Sequence, residues 1–332
     1  MLFIYTLQHL TVDGICGAAL AAYAVNEPYI EPIIYHFGLY NLIAFGSQWI
    51  AGYLLDKKIN LIKYAFIISL VTLGLGTISE LGIDTQVILL GIGNCLFHVS
   101  AGSLVLRKYN TYKELGIFVS SGAIGLALGL NMFCRAEIFL AVYAVTTAIV
   151  FYRYNKNKAA IEQQIYIDEN TPSSTAAFAI LGCAILLLSC VVLRGFGGSG
   201  ASTTDYVMLF PCIFAIGKSL GGICCDKIGY KNTIVLIFVL SFLSLQFEGL
   251  IPILILTLTF NMTMPLTLRL VHWCNPNYPG MMFGLAAGCL LPGAFYYEDF
   301  SVAPQAMVVI QFLSLFIAGY LFKIYGRKQV SL

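Results

Sequence analysis

The chain has 332 residues, of which 59% are hydrophobic and only 10% charged, where a soluble domain carries roughly 25% charged residues. Its net charge of +2 excludes the basic footprint of a nucleic-acid-binding protein. Ten cysteines are scattered through apolar runs with no C-x-x-C pair, which excludes a disulfide or zinc framework and reads as small buried hydrophobes.

The charge is clustered between uncharged runs of membrane-spanning length. Twelve spans are predicted, at about 2–25, 33–55, 61–79, 86–106, 114–133, 137–154, 176–194, 206–225, 232–247, 250–271, 280–297 and 304–323. Residues 1–25 have no basic leader and read as a full span, not a cleavable signal. The longest connection, 155–175, divides the chain into two halves (1–154 and 176–332) and reads as a cytoplasmic linker with a brief interfacial helix. With the N-terminus cytoplasmic, Lys57, Lys58, Lys63, Arg107, Lys108, Lys113, Arg153, Lys156, Lys158, Lys227, Lys231, Lys323, Arg327 and Lys328 lie inside, 14 of the 18 Lys and Arg residues. That asymmetry places both termini in the cytoplasm. The outer connections collect acids, among them Glu27, Glu31, Glu80, Asp84, Asp205, Glu298 and Asp299, with Arg135 and Arg194 the outer cations.

In the first span His9 and Asp13 lie four apart, on one helix face. Asp13 is about 12 residues deep, ~18 Å along the helix and near the middle of the hydrocarbon. A carboxylate there is costly unless it faces a wet cavity or a partner, and it suits a proton carrier. The second span closes through Gly46 and Gly52 onto Asp56, Lys57 and Lys58. Its pattern Gly52-x-x-x-Asp56-Lys57 returns as Gly222-x-x-x-Asp226-Lys227-x-Gly229-x-Lys231, offset by 226 − 56 = 170 residues. A punctuation mark recurring once per half signals internal duplication, and in an apolar chain a duplication points to a transporter. The glycines permit close helix contact, and either aspartate can cap a helix N-terminus or pair with a cation.

The fourth span carries Gly91, Gly93, Asn94 and His98, with Asn94 and His98 on one face. The fifth is glycine-rich from Gly116 through Gly122 and Gly125 to Gly129. After the seventh, Arg194 and the run Gly195 to Gly200 read as a bendable outer gate. The run fits G-x-G-x-x-G by letter, but no strand precedes it, so a dinucleotide site is discounted. Lys218 lies about eight residues, ~12 Å, from the inner edge of the eighth span. It either snorkels or faces the cavity as a partner for an anionic group. In the tenth span Asn261, Thr263 and Pro265 interrupt an apolar helix, and Pro265 favours a kink. Arg269 and His272 end that span, and Arg269 either snorkels to the inner surface or joins Lys218 in the cavity. Gly280, Gly284 and Gly288 give the eleventh a close-packing face. No H-E-x-x-H, G-x-S-x-G or P-loop lysine is present. No enzyme, cofactor or metal site is expected.

The two Gly-x-x-x-Asp-Lys copies resemble the signature loop of the major facilitator superfamily, found between helices 2 and 3 and again between 8 and 9. The second copy matches better, because the first has Ile59 and Asn60 where a glycine and a base belong. His9-x-x-x-Asp13 with Gly91-x-Gly93-x-x-x-Phe97-His98 resembles the fosmidomycin-resistance type of efflux protein. Two positions depart from family patterns, Val87 where many exporters carry arginine and Gly122-Ala123 where many antiporters carry Gly-Pro.

The resemblance implies an all-α membrane protein of twelve transmembrane helices in two pseudo-symmetric six-helix bundles. It further implies a monomeric secondary active transporter of the cytoplasmic membrane, with a small-molecule substrate, protons and the lipid bilayer as partners. Spans 1, 4, 7 and 10 would line its cavity. Asp13 and His98 are then expected to couple protons, and Asn94, Lys218, Asn261, Thr263 and Arg269 to bind an anionic or zwitterionic solute. Gly52, Asp56, Lys57, Gly222, Asp226 and Lys227 are expected to gate. A non-transporting scaffold or sensor of the same fold is the rival reading.

Overall fold

The computed structural model describes residues 1–156, 174–199, 207–296 and 303–325. Among these residues the regular structure is entirely helical. The first half holds α1 (Leu2–Asn26), α2 (Ile30–Asn41), α3 (Gln48–Lys57), α4 (Ile62–Gly76), α5 (Ile83–Lys108), α6 (Tyr112–Leu130) and α7 (Ala136–Lys156). The second holds α8 (Ser174–Ser199), α9 (Leu209–Ile228), α10 (Tyr230–Ser244), α11 (Leu250–Cys274), α12 (Pro279–Gly288), α13 (Leu291–Tyr296) and α14 (Pro304–Tyr325). The expected linker lies mostly outside the described residues, as do Lys158, Asp205, Glu298, Asp299, Arg327 and Lys328.

Among the described residues, eight helices are long and apolar enough to cross a membrane, namely α4 with the turn before it, α5 to α9, α11 and α14. The chain is a multi-pass membrane protein. α1 has the length, but Gln8, His9 and Asp13 dilute its apolar character. Two expected spans are interrupted. The second passes from α2 into α3 through a π-turn at Leu42–Gly46, where the Ser47 hydroxyl donates to the Ile43 carbonyl (2.6 Å). Inserted side-chain bonds and π-turns are ordinary causes of a helix irregularity. The eleventh breaks between α12 and α13, because Pro292 has no N–H for the carbonyl four residues back. Pro265 does not break α11. Apolar side chains such as Phe3, Ile34, Val71, Val145, Ile185 and Ile251 point outward, as they do on a surface solvated by lipid.

The packing pairs α1 with α6, α4 with α5, α8 with α14, and α9 with α11. Elements of the two halves meet along α3–α12 and α6–α9. The α1–α6 seam explains the glycines of the fifth span. A Cβ on Gly125 would strike the Leu10 carbonyl, and one on Gly129 would strike the Gly14 carbonyl. Close backbone approach of this kind is how helices associate where no water drives them together.

Candidate functional site

A cavity of about 640 Å³ lies between the halves. One wall is built by α1, the π-turn, α5 and α6, with His9, Asp13, Phe45, His98, Val119 and Gly122. The other is built by α8, α9, α11 and α12, with Arg194, Phe214, Lys218, Met264 and Phe283. The lining continues to Asn131 and Val207, so the cavity leads toward the side opposite Lys57, Arg107 and Lys227. A largely apolar hollow with a few convergent polar groups is the usual form of a small-molecule site.

The first wall holds one compact cluster. The i, i+4 pair His9 and Asp13 stands at 3.3 Å between Nε2 and Oδ2. His98 brings its Nε2 to 3.0 Å from His9 Nε2 and 3.7 Å from Asp13 Oδ1. His9 Nδ1 contacts the Phe118 carbonyl (2.8 Å), and His98 Nδ1 contacts the Asn94 carbonyl (2.9 Å). A carbonyl only accepts, so each Nδ1 carries a ring proton, and the two Nε2 atoms, 3.0 Å apart, are hydrogen-bonded when one further proton lies between them. Asn94, fully buried, donates from Nδ2 to Asp13 Oδ1 (3.0 Å). It therefore positions the carboxylate and is not among the described residues lining the cavity. Gly122 sits across from the cluster, where any Cβ would collide with Asp13 and His9. The sequence offers no metal-ligand spacing here, yet ligand atoms of His9, Asp13 and His98 all lie within 4.8 Å of one another. Residues 89 apart in the chain leave no local signal of that convergence.

The second wall holds two cations. Lys218 has no hydrogen bond or ion pair among the described residues and lines the cavity. Arg194 corrects the expectation of an outer-loop cation. α8 runs on through Gly195 to Ser199, so Arg194 is a buried helical residue facing the cavity. Gly195 is held against α13, where a Cβ would meet the Leu290 carbonyl (2.8 Å), so the expected gate begins as packed helix. Gly200 lies outside the described residues. Arg194 Nη1 donates to Thr267 Oγ1 (3.1 Å) and, at longer range, to Thr263 Oγ1 (3.4 Å). Both hydroxyls give their own protons to carbonyls of α11, which leaves lone pairs for the guanidinium.

Besides Asn94, three expected substrate ligands lie outside the cavity lining. Thr263 serves Arg194. Asn261 is buried and donates to the Thr257 carbonyl of its own helix (2.9 Å). Arg269, fully buried, reaches across the halves to the carbonyls of Leu106 (3.4 Å), Tyr109 (2.5 Å) and Thr111 (2.9 Å). Its charge is spent on the α5–α6 connection, because the end of α11 abuts that loop.

The duplicated motif occupies the opposite end from the mouth. Asp56 accepts from the backbone N–H groups of Gly280 (3.1 Å) and Met281 (2.9 Å), which open α12. Asp226 accepts from those of Tyr112 (3.1 Å) and Lys113 (2.7 Å), which open α6. Each aspartate thus caps a helix of the other half, where free N–H groups and the helix dipole favour an anion. Gly52 and Gly222 make room for these contacts, since a Cβ on either would enter the Gly280 or Tyr112 backbone. Lys57 and Lys227 are exposed.

No protein-family model and no curated protein matches this chain. Solved structures do. FucP, the E. coli fucose:proton symporter, in its outward conformation, aligns with a TM-score of 0.63 at 10% identity, covering 98% of this chain and 100% of that one. The proton:xylose symporter XylE aligns at 0.63 and 14% identity, over 97% and 94% of the two chains. A bacterial homologue of the iron transporter ferroportin, outward-facing, aligns at 0.53 and 12% identity, over 98% of each. The chain therefore has the fold of the major facilitator superfamily transporters.

Proposed function

We propose that the protein is a secondary active transporter that moves a small anionic or zwitterionic organic solute by alternating access. The observation that carries this reading is the cavity, with an acid–imidazole cluster on one wall and Lys218 and Arg194 on the other. Ionisable groups at such depth are costly and mark a solute or proton path. Lys218 and Arg194 would receive the anionic group. Asp13 and His98, with His9, would carry the coupling proton, because three convergent acceptors are stabilised by one shared positive charge.

In this reading the chain crosses the membrane twelve times, α2–α3 and α12–α13 each counting as one interrupted span, in two six-helix bundles joined by the 155–175 linker. The lysines and arginines at the Asp56 and Asp226 ends favour a cytoplasmic location for those ends and both termini. The cavity then faces outward, and the two aspartate caps are the closed inner gates. Rocking the bundles about the α3–α12 and α6–α9 seams would break both caps and open the other side. Efflux is the direction favoured by the fosmidomycin-type residues of the first half.

The test is flux in proteoliposomes with an internal pH dye and an imposed proton gradient, screened over small organic anions and zwitterions. Gradient-driven flux that needs Asp13, lost in Asp13→Asn, is expected. Equal flux in Asp13→Asn removes Asp13 from coupling, and no flux for any solute, with no ligand-induced thermal shift, favours the scaffold reading.

A further inference from the structure

We propose that His9, Asp13 and His98 form a binding site for one divalent first-row transition-metal ion of the zinc class, open to the cavity. Three features carry the assignment. First, both rings have Nδ1 engaged by main-chain carbonyls, at 2.8 Å and 2.9 Å. That is the outer-shell arrangement that orients metal-bound histidines and fixes Nε2 as the ligand. Second, the spacing is right. Ligands held about 2.0–2.2 Å from a metal at tetrahedral or octahedral angles stand about 2.8–3.6 Å apart. The two Nε2 atoms stand 3.0 Å apart, His9 Nε2 is 3.3 Å from Asp13 Oδ2 and His98 Nε2 is 3.7 Å from Asp13 Oδ1, so each ring faces its own carboxylate oxygen and a small rotation of the carboxylate brings one oxygen within reach of a shared ion. Third, the ligands come from one side only, α1 and α5, while Gly122 on α6 offers no side chain. Three protein ligands with an open face leave positions for water or an incoming group.

Two imidazoles and one carboxylate select for zinc, cobalt, nickel, iron or manganese over calcium and magnesium, which prefer all-oxygen shells. Arg194 and Lys218 on the facing wall would repel a bare dication, so the metal's open positions are suited to carboxylate-type ligands whose charge those cations can share. This deepens the anionic-solute reading and rests on it: the solute class becomes an anion that travels with, or as a chelate of, a transition metal.

The experiment uses the full chain in detergent, its affinity tag removed, titrated with Zn2+ by calorimetry and with Co2+ by visible absorption. One ion per chain is expected, with a cobalt ligand-field spectrum typical of mixed nitrogen and oxygen ligands. His98→Ala and Asp13→Asn are each expected to weaken binding at least tenfold and to change that spectrum, whereas Lys218→Met keeps the spectrum. Melting curves on the same samples confirm that the variants are folded. A wild-type chain without saturable binding overturns the site, as does binding unchanged in folded His98→Ala and Asp13→Asn. Either result alongside gradient-driven flux of a metal-free anion leaves the transporter reading standing. Stoichiometric binding with no flux of any solute retains the site and removes that reading.

Discussion

The two copies of the Gly-x-x-x-Asp-Lys motif make the same contact in different ways. Asp56 is sealed, its side chain fully buried, and beyond the α12 cap it pairs with Arg107 (2.9 Å, side chain 7% exposed) and accepts from Ser103 (3.3 Å). Asp226 is exposed, and its hydrogen-bond partners among the described residues are only the two N–H groups that open α6. The cation of the second junction, Arg269, holds instead the carbonyls of the loop that presents those N–H groups. The copy that departs from the family pattern is therefore the more deeply built. Its departures have a physical reason. In the second copy α9 passes to α10 through Gly229 alone, at φ +83, a conformation that favours glycine. In the first copy the chain turns through a 3-10 turn, Ile59–Leu61, at negative φ, and Ile59 is a buried side chain whose carbonyl accepts from the Tyr154 hydroxyl (2.8 Å). A glycine there would serve no turn. Two junctions with one role thus differ in burial, and burial sets what each loses when broken.

That contrast ranks the outcomes of substitution. Asp56→Ala has the largest effect, because it strands the buried Arg107 and uncaps α12. Breaking a buried pair costs about 3–5 kcal/mol, so a fall in melting temperature is expected together with faster cysteine labelling at the capped end. Arg269→Met comes next. It takes a charged donor from the part-buried carbonyls of Tyr109 and Thr111, at about 1.5–3 kcal/mol for each such bond, read as lost stability with increased protease cleavage in the α5–α6 connection. Restoring the family glycine, Ile59→Gly, is expected to destabilise by about 2–4 kcal/mol through a lost buried side chain. An unchanged denaturation midpoint would erase the distinction between the copies. Gly229→Ala forces a Cβ into positive φ, at about 1–2 kcal/mol, visible as a modest shift in the same midpoint. Asp226→Ala ranks last, at about 1 kcal/mol for an exposed cap. If its labelling rate at the capped end equals that of Asp56→Ala, burial does not govern the junctions.

Much of this was legible in the chain, and what was not has a common cause. Charge clustering and the 170-residue repeat pointed to a duplicated membrane protein, and ionisable residues inside apolar runs singled out Asp13, His98 and Lys218, all of which line the cavity. Glycines after Arg194 read as loop, yet α8 continues through them to Ser199, and Gly195 packs against Leu290 and Gly293. Arg269 and Asn94 read from the sequence as solute ligands, but their partners lie 158 to 163 and 81 residues away. No local pattern reports on a partner that only the assembled bundle brings near. The same holds for the histidine pair, His9 with His98.

The glycine seam of α1 and α6 bears on motion. Main chain rests on main chain at Gly125 and Gly129, with no intervening side chain to absorb slip. α6 starts at Tyr112, the residue held by Asp226, and ten residues on, ~15 Å along its axis, it touches the acid–imidazole cluster through Gly122. One continuous helix therefore has its first turn under the Asp226 cap and its flank against the acid–imidazole cluster, so the two contacts share a single stiff element.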